Sequence, residues 1–153
     1  MIMNIAIGCD EAAYDLKELL KKHLQDKNIN VVDFGTKSKS ETVLYPDVAL
    51  DVANAVQKNE CERGVLLCGT GIGMAITANK VKGIRAACCH DPYSAERARK
   101  SNDAQIITMG ARIIAPELAT YLLDIWLDCE FSGAGSTAKV EKIKEYENEH
   151  LAY

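Results

Sequence analysis

The sequence predicts a single doubly wound α/β domain, because short apolar runs alternate with segments of helical periodicity. A strand at 3–8 precedes leucines at helical spacing and a second strand at 30–34, and the alternation continues to residue 109. Parallel neighbours need crossover connections, which also bury both faces of the sheet. A chain of 153 residues, 48% apolar and 26% charged, suits one globular core.

The predicted elements together describe a Rossmann-like three-layer domain with a five-stranded parallel sheet and a C-terminal helical extension. The strands are expected at 3–8, 30–34, 64–68, 84–89 and 105–109, and the helices at 12–25, 48–56, 74–80, 92–100, 116–129 and 137–149. In such sheets the ligand crevice lies beyond the carboxyl ends of the strands, where the strand order reverses between the first strand and a later one. The loops that start at Cys9, Cys68, Cys89 and Met109 are therefore the candidate site loops.

The composition gives no reason to expect a nucleic acid or a membrane as a partner. The net charge is −4 at pH 7, so an anionic ligand has to be held by a local cluster of donors. The first residues lack the basic region and the apolar run of a signal peptide, and no run of roughly 18 apolar residues occurs, so we expect a cytoplasmic protein. The six cysteines lack the spacing of a disulfide scaffold or a zinc site, so we expect reduced thiols and no structural metal.

The loop 68–73 after the third strand, Cys-Gly-Thr-Gly-Ile-Gly, is the strongest chemical feature. Its glycines let several backbone N–H groups approach a ligand at the start of a helix. Met74 replaces the third glycine of a dinucleotide fingerprint, and no P-loop lysine follows. Oriented amides and the helix dipole favour a thiolate at Cys68, which could act as a nucleophile or a base. Inert packing of Cys68 and simple helix capping by Thr70 are the structural alternatives.

Other polar residues also follow predicted elements. Asp10 ends the first strand, where a carboxylate suits sugar hydroxyls but could equally cap the next helix. Tyr45, Asn102 and Arg112 are placed on loops, where turn chemistry or a solvated charge is the alternative explanation.

The order and spacing of several motifs resemble one family along nearly the whole chain. These motifs are Ile5-Ala-Ile-Gly-Cys-Asp10, Tyr45-Pro46, Cys68-Gly-Thr-Gly-Ile-Gly73, Ala78-Asn-Lys-Val-Lys-Gly-Ile-Arg-Ala86, Pro92-Tyr-Ser-Ala95, Asn102-Asp103 and Met109-Gly-Ala-Arg112. They are similar to the ribose-5-phosphate isomerase B and galactose-6-phosphate isomerase family.

The resemblance implies an aldose–ketose isomerase without a metal or organic cofactor, and a homodimer or tetramer whose active sites lie between subunits. Cys68 is then the base that moves a proton between C1 and C2 through an enediolate, and Thr70 assists near the ring oxygen. The implied substrate contacts are Asp10, Glu11, Tyr45, Gly69, Gly71, Ile72, Gly73, Asn102, Arg112 and Lys139. Arg112 and Lys139 would bind phosphate in the neighbouring subunit's site, and the C-terminal helix at about 137–149 would pack on that partner.

The sequence departs from the family where the substrate is expected. Glu11 and Ser101 stand at positions that hold histidines in ribose-5-phosphate isomerases, and the histidine at 101 would open the sugar ring. Gly135 and Lys139 replace two arginines of the family's tail, so one bidentate phosphate grip is lost and another becomes a point charge. Either the substrate needs no catalysed ring opening, or His90 replaces the missing histidine; a solvated loop position is the other interpretation of His90.

The implied reaction is the interconversion of ribose 5-phosphate and ribulose 5-phosphate. The alternatives are another sugar phosphate, such as a tetrose or galactose 6-phosphate, or a weakly active sugar-phosphate-binding subunit of a hetero-oligomer.

Overall fold

The structure is a computed structural model that describes residues 2–151. Its strands are β1 Asn4–Cys9, β2 Asn30–Asp33, β3 Arg63–Cys68, β4 Ala86–Cys88 and β5 Ile106–Gly110. Its helices are α1 Tyr14–Asp26, α2 Tyr45–Gln57, α3 Ile72–Ala78, α4 Pro92–Lys100, α5 Pro116–Asp128 and α6 Thr137–His150, with single 3₁₀ turns at Glu11–Ala13 and Ala134–Ser136.

The five strands form one parallel sheet in the order β2-β1-β3-β5-β4. The chain moves outward from β1 to β2 and then crosses to β3 on the other side of β1, so the strand order reverses between β1 and β3. This reversal is where the sequence predicts the ligand crevice, at the carboxyl ends of the strands.

Two apolar clusters cover the two faces of this sheet. Helices α1, α4 and α5 pack on one face, where Leu20 and Trp126 are fully buried. Helices α2 and α3 pack on the other face through residues such as Val52 and Met74. The predicted three-layer α/β domain with a five-stranded parallel sheet is thereby confirmed.

Strand β4, Ala86–Cys88, is shorter than the predicted strand at 84–89, and side chains bind backbone groups at its beginning. The amide of Asn79 bonds both backbone groups of Ala86, donating to its carbonyl at 2.9 Å and accepting from its N–H at 2.8 Å. The preceding N–H, of Arg85, donates to the Gln105 side chain at 2.8 Å. An edge strand whose polar groups are satisfied in this way offers little for another strand to pair with.

Three helix starts also differ from the predicted ones, and α3 begins at Ile72 rather than at residue 74. Glu11–Ala13 is a 3₁₀ turn rather than the start of an α-helix, and α1 begins at Tyr14. Tyr45 and Pro46, expected on a loop, form the first turn of α2, where the fixed φ of proline is favourable.

Helix α6 is largely exposed, although Val140 on it is buried. Glu147 on α6 accepts a hydrogen bond from the N–H of Gly83 at 2.8 Å. Within residues 2–151, no helix combines the length and the apolar character needed to cross a bilayer.

Candidate active site

The carboxyl ends of β1, β3 and β5 surround an open pocket of about 430 Å³. It is lined by Asp10, Tyr45, Cys68, Gly69, Thr70, Ile72, Gly73, Ile76 and Arg112. Most of the residues that the sequence singled out therefore meet at one place. Glu11, Gly71, Asn102 and Lys139 do not line this pocket.

Cys68 is the last residue of β3, and its side chain borders the pocket although only 5% of the residue is exposed. The backbone N–H of Gly71 donates to its Sγ at 3.1 Å. Because α3 has only seven residues, this direct contact, rather than the dipole of the helix, is the polar interaction that the structure shows at the sulfur.

The loop that carries this amide is held against β5 by close backbone packing. Gly71 has a positive φ of 76°, and a Cβ there would lie 2.8 Å from the carbonyl carbon of Met109. The hydroxyl of Thr108 donates to the carbonyl of Gly71 at 2.7 Å. The local chain path therefore requires glycine at 71.

The end of β5 also binds the beginning of the same loop. The N–H of Ala111 donates to the carbonyl of Cys68 at 2.9 Å, and the N–H of Arg112 donates to the carbonyl of Gly69 at 3.0 Å. The guanidinium of Arg112 lies over Gly69, with Nη1 3.3 Å from the position of a Cβ at that glycine. Arg112 thus lies in its own chain's pocket, whereas the resemblance implied that it reaches a neighbouring subunit's site.

Asp10 caps the turn that follows β1 and also lines the pocket. One carboxylate oxygen accepts the N–H of Ala12 at 3.1 Å. Burial raises the pKa of Asp10, and the neighbouring Glu11 carboxylate raises it further, while Arg112 acts in the opposite direction. A carboxylate in this environment can accept hydrogen bonds from ligand hydroxyl groups.

Tyr45 reaches the pocket from the start of α2 and packs on α3. Its ring lies so close to Gly73 that a Cβ at that glycine would overlap the ring. Glu11 accepts the N–H of Val43 at 3.4 Å and thereby holds the segment that leads to Tyr45. Glu11 thus lies beside the pocket with its carboxylate turned to the backbone.

The hydroxyl oxygen of Thr70 accepts the N–H of Ile72 at 3.3 Å, as a helix-capping side chain does. Its own O–H is then available to donate, and Thr70 lines the pocket. Ile76 also lines the pocket, and sequence reasoning missed it. Its spacing of four residues from Ile72 on one helix face was the available signal.

Three residues at positions where the family has polar residues for the substrate do not line the pocket: Asn102, Lys139 and Ser101. Asn102 is exposed, and its carbonyl accepts from Nε of Arg85 at 3.0 Å. Lys139 is exposed on α6. The hydroxyl oxygen of Ser101 accepts from Nε of Arg97 at 2.7 Å.

None of the three histidines, all of which are described, lines the pocket. His90 is neither in the pocket nor freely solvated: it is partly buried, and its Nε2 accepts the N–H of Gly110 at 2.9 Å. The interpretation of His90 as a solvated loop residue is therefore wrong, and its Nε2 is engaged with the backbone of its own chain.

Three of the other cysteines, Cys9, Cys61 and Cys89, are buried and are poor candidates for a reactive thiolate at this site. Burial raises the pKa of Cys9 to about 12 and that of Cys89 to about 12, and it also raises the pKa of Cys61. All six cysteines lie in the described range, and none of them forms a disulfide. Among residues 2–151, no three histidine, cysteine or acidic side chains are arranged to hold a metal ion.

A second depression of about 460 Å³ lies between α2 and the segment after α3. It is lined by Leu50, Asn54, Gln57, Lys80, Val81 and Lys82. None of the predicted site residues lines it, and it has no cysteine, histidine or carboxylate for proton transfer.

The chain resembles known proteins along almost its whole length. A family model described as Ribose/Galactose Isomerase matches residues 5–143. The chain belongs to the ribose/galactose isomerase family.

Individual members of this family match the chain nearly end to end. It is 59% identical to the "Ribose-5-P isomerase B" of Listeria innocua, an alignment that covers 97% of this chain and 99% of that protein. It is 55% identical to the "D-erythrulose-4-phosphate isomerase" of Pectobacterium atrosepticum, with 97% of each chain covered. The solved structure of Clostridium thermocellum ribose-5-phosphate isomerase B matches with a TM-score of 0.94 at 44% identity, covering 97% of this chain and 99% of that one. The predicted family is confirmed, and the protein is an isomerase.

Replacing Gly71 with alanine is expected to destabilise this isomerase more than replacing Gly83. Both glycines have positive φ, 76° and 84°, so alanine at either costs about 1–2 kcal/mol in backbone strain. A Cβ at Gly71 also overlaps the Met109 backbone, whereas nothing lies within 4 Å at Gly83. This overlap adds roughly 1–3 kcal/mol to the cost at Gly71. Urea unfolding of both variants measures the difference, and equal losses of stability would contradict the tight packing of the loop on β5.

Proposed function

We propose that this isomerase interconverts an aldose phosphate and a ketose phosphate, with Cys68 as the base that moves the proton. The observation that supports it best is the Cys68 thiol on the pocket wall, 3.1 Å from the Gly71 N–H and in the same pocket as Asp10 and Arg112. Cys68 is the cysteine that combines access to the pocket with an amide donor.

The proposed reaction is a proton transfer between adjacent carbons. The Cys68 thiolate takes the proton from C2 of the open-chain aldose, and the electron pair moves to form an enediolate with negative charge on the former carbonyl oxygen. Backbone N–H groups of the loop 69–73 stabilise this oxyanion. The Cys68 thiol then returns the proton to C1, and the transfer of a proton between the two oxygens completes the ketose.

The charges in the pocket orient the substrate. Among the described residues 2–151, Arg112 forms no ion pair or side-chain hydrogen bond, so its guanidinium is free to bind the phosphate. Asp10 would repel a dianion, so its carboxylate suits the hydroxyl groups of the sugar rather than the phosphate. Thr70, with a free O–H, is placed to donate to an oxygen of the substrate.

A second subunit is proposed to complete each site. Asn102 and Lys139 do not line the pocket of their own chain. The resemblance to the family implies that both residues contact the substrate. Ile72 and Ile76, 56% and 58% exposed, form an apolar rim on α3 beside the pocket. A homodimer, or a tetramer built from two dimers, would cover this rim and bring Lys139 of one chain to the site of the other.

Replacing Cys68 with serine is expected to lower isomerase turnover by roughly 10²–10⁴-fold, because the proton-transferring base is lost. Turnover and exchange of the C2 proton in deuterated buffer are measured with a chelator present, on a panel of tetrose, pentose and hexose phosphates. Cys129→Ser, on the segment after α5 and outside the pocket, is the matched control and should keep wild-type rates.

Calorimetric titration with the same sugar phosphates separates the enzyme from a binding subunit. A catalytic Cys68 requires that Cys68→Ser still binds the sugar that wild type converts. Wild-type protein that binds a sugar phosphate but exchanges no proton on the whole panel would show that the chain is a binding subunit.

Ribose 5-phosphate is the substrate implied by the name of the Listeria relative, and one observation favours a tetrose 4-phosphate as a second candidate. The histidine expected to open the sugar ring is replaced by Ser101, whose hydroxyl is held by Arg97, and His90 is bonded to Gly110. A tetrose with phosphate on O4 cannot close a five-membered ring, so it needs no ring opening. The "D-erythrulose-4-phosphate isomerase" of Pectobacterium acts on such a sugar by its name.

We therefore expect a higher kcat/KM for erythrose 4-phosphate and erythrulose 4-phosphate than for ribose 5-phosphate. Without ring opening, ribose 5-phosphate has to open in solution before it reacts. The lack of a group that opens the ring is expected to lower kcat/KM by about 10²-fold or more, as the loss of other acid–base groups does. A ribose 5-phosphate kcat/KM equal to or above the tetrose values would identify the pentose as the substrate.

Lys139→Ala is expected to raise KM more than it lowers kcat, because a remote phosphate contact stabilises the ground state and the transition state alike. Mixing subunits tests whether Lys139 acts across the interface. Co-expressed Cys68→Ser and Lys139→Ala chains form mixed dimers with one site that has both residues, so at low substrate about a quarter of wild-type activity returns.

The control for this mixing experiment is co-expression of Cys68→Ser with the double variant Cys68→Ser/Lys139→Ala, which leaves no intact base. If the first mixture is no more active than the sum of its parents, Lys139 does not serve a neighbouring site.

A further inference from the structure

His90 supplies a hydrogen-bond acceptor where strand β4 has ended. In the parallel ladder, Cys88 pairs with Thr108, and the N–H of Cys89 donates to the carbonyl of Thr108 at 3.1 Å. The next N–H of β5 on that side belongs to Gly110, which is buried. It donates instead to Nε2 of His90 at 2.9 Å. The imidazole thus takes the place of a missing strand carbonyl, and a buried N–H that would otherwise be unpaired is satisfied.

Gly110 is also the residue on which the catalytic loop rests. It pairs in register with Cys68 on the other side of β5. A Cβ at Gly110 would lie 2.7 Å from the Cα and carbonyl carbon of Thr70, so the two backbones are in direct contact. The residue after Gly110, Ala111, donates its N–H to the carbonyl of Cys68 at 2.9 Å. A shift of Gly110 therefore moves both the base and the hydroxyl next to it.

The acceptor role requires a neutral imidazole with its lone pair on Nε2 and its proton on Nδ1. Burial lowers the pKa of His90, and the carboxylate of Asp91 opposes this shift. Asp91 is itself engaged as the cap of α4, where it accepts the N–H of Ser94 at 2.7 Å. His90 is accordingly neutral at neutral pH, as the hydrogen bond from Gly110 demands.

We propose that His90 is a positioning residue, which fixes the Cys68–Thr70 loop through the N–H of Gly110. It does not touch the substrate, since it does not line the pocket. Its effect on turnover rests on the proposed function of Cys68, whereas its effect on the Gly110 amide does not. An acceptor at this position, rather than a histidine as such, is what the loop requires.

A pair of substitutions of similar size separates the acceptor from the volume of the side chain. His90→Gln keeps an oxygen near the place of Nε2, and His90→Met fills similar space without a strong acceptor. Amide hydrogen exchange of Gly110, followed by NMR in the full-length protein, reports the bond without any reference to catalysis. We expect Gly110 to exchange about tenfold or more faster in His90→Met, and to stay protected in His90→Gln.

The same two substitutions are expected to have different effects on turnover. His90→Met should lower kcat by roughly 10- to 100-fold, because the shift of Gly110 misplaces the base relative to the substrate. His90→Gln should retain kcat within about threefold of wild type. Circular dichroism of both variants establishes that they are folded.

Equal Gly110 exchange in wild type and His90→Met would overturn the proposal, as would a His90→Gln variant as impaired as His90→Met. Should the wild-type protein turn over no sugar phosphate, the proposed function fails. The exchange measurement then still decides whether His90 holds the loop.

Discussion

The contact between the backbone at the end of β5 and the loop after β3 is the constraint on which the active site depends. Gly110 and Gly71 lie so close to the neighbouring backbone that any side chain there would overlap it. Two amides of β5's end, those of Ala111 and Arg112, bond the first two carbonyls of the loop. This packing places the Cys68 thiol, an amide donor and the Arg112 guanidinium on one wall of the pocket. Glycine in these positions is thus a requirement of the catalytic geometry.

The environment of Cys68 differs from that of the buried cysteines. Cys9 and Cys89 lie in the core, where burial raises the pKa of each thiol to about 12, while Cys68 lies at the pocket wall beside an N–H group. Among the residues that line the pocket, Asp10 is acidic and Arg112 is cationic. In the proposed reaction, Asp10 is suited to the hydroxyl groups of the sugar and Arg112 to its phosphate.

Glu11 and Ser101, which stand where the family has histidines, are both bonded within their own chain. Glu11 is turned to the N–H of Val43, and the Ser101 hydroxyl is bonded to Arg97, so both replacements stabilise the protein's own structure. Neither offers the imidazole that ring opening would need. The loop 68–73, which would carry the base, keeps the family's motif. Positions 11, 101, 135 and 139, which would contact the sugar phosphate, differ from the family's residues. This combination is consistent with a smaller, open-chain sugar phosphate.

The sequence by itself determined the alternation of strands and helices, the parallel sheet and the position of the Cys68 loop, because apolar periodicity and glycine spacing are local signals. It also predicted Asp10, Thr70 and Arg112 at the strand ends. Only the tertiary structure decided that Tyr45 starts a helix against Gly73, that β4 stops at Cys88, and that His90 bonds Gly110. Such contacts join side chains and backbone groups far apart in the chain, and they leave no periodic pattern from which they could be predicted.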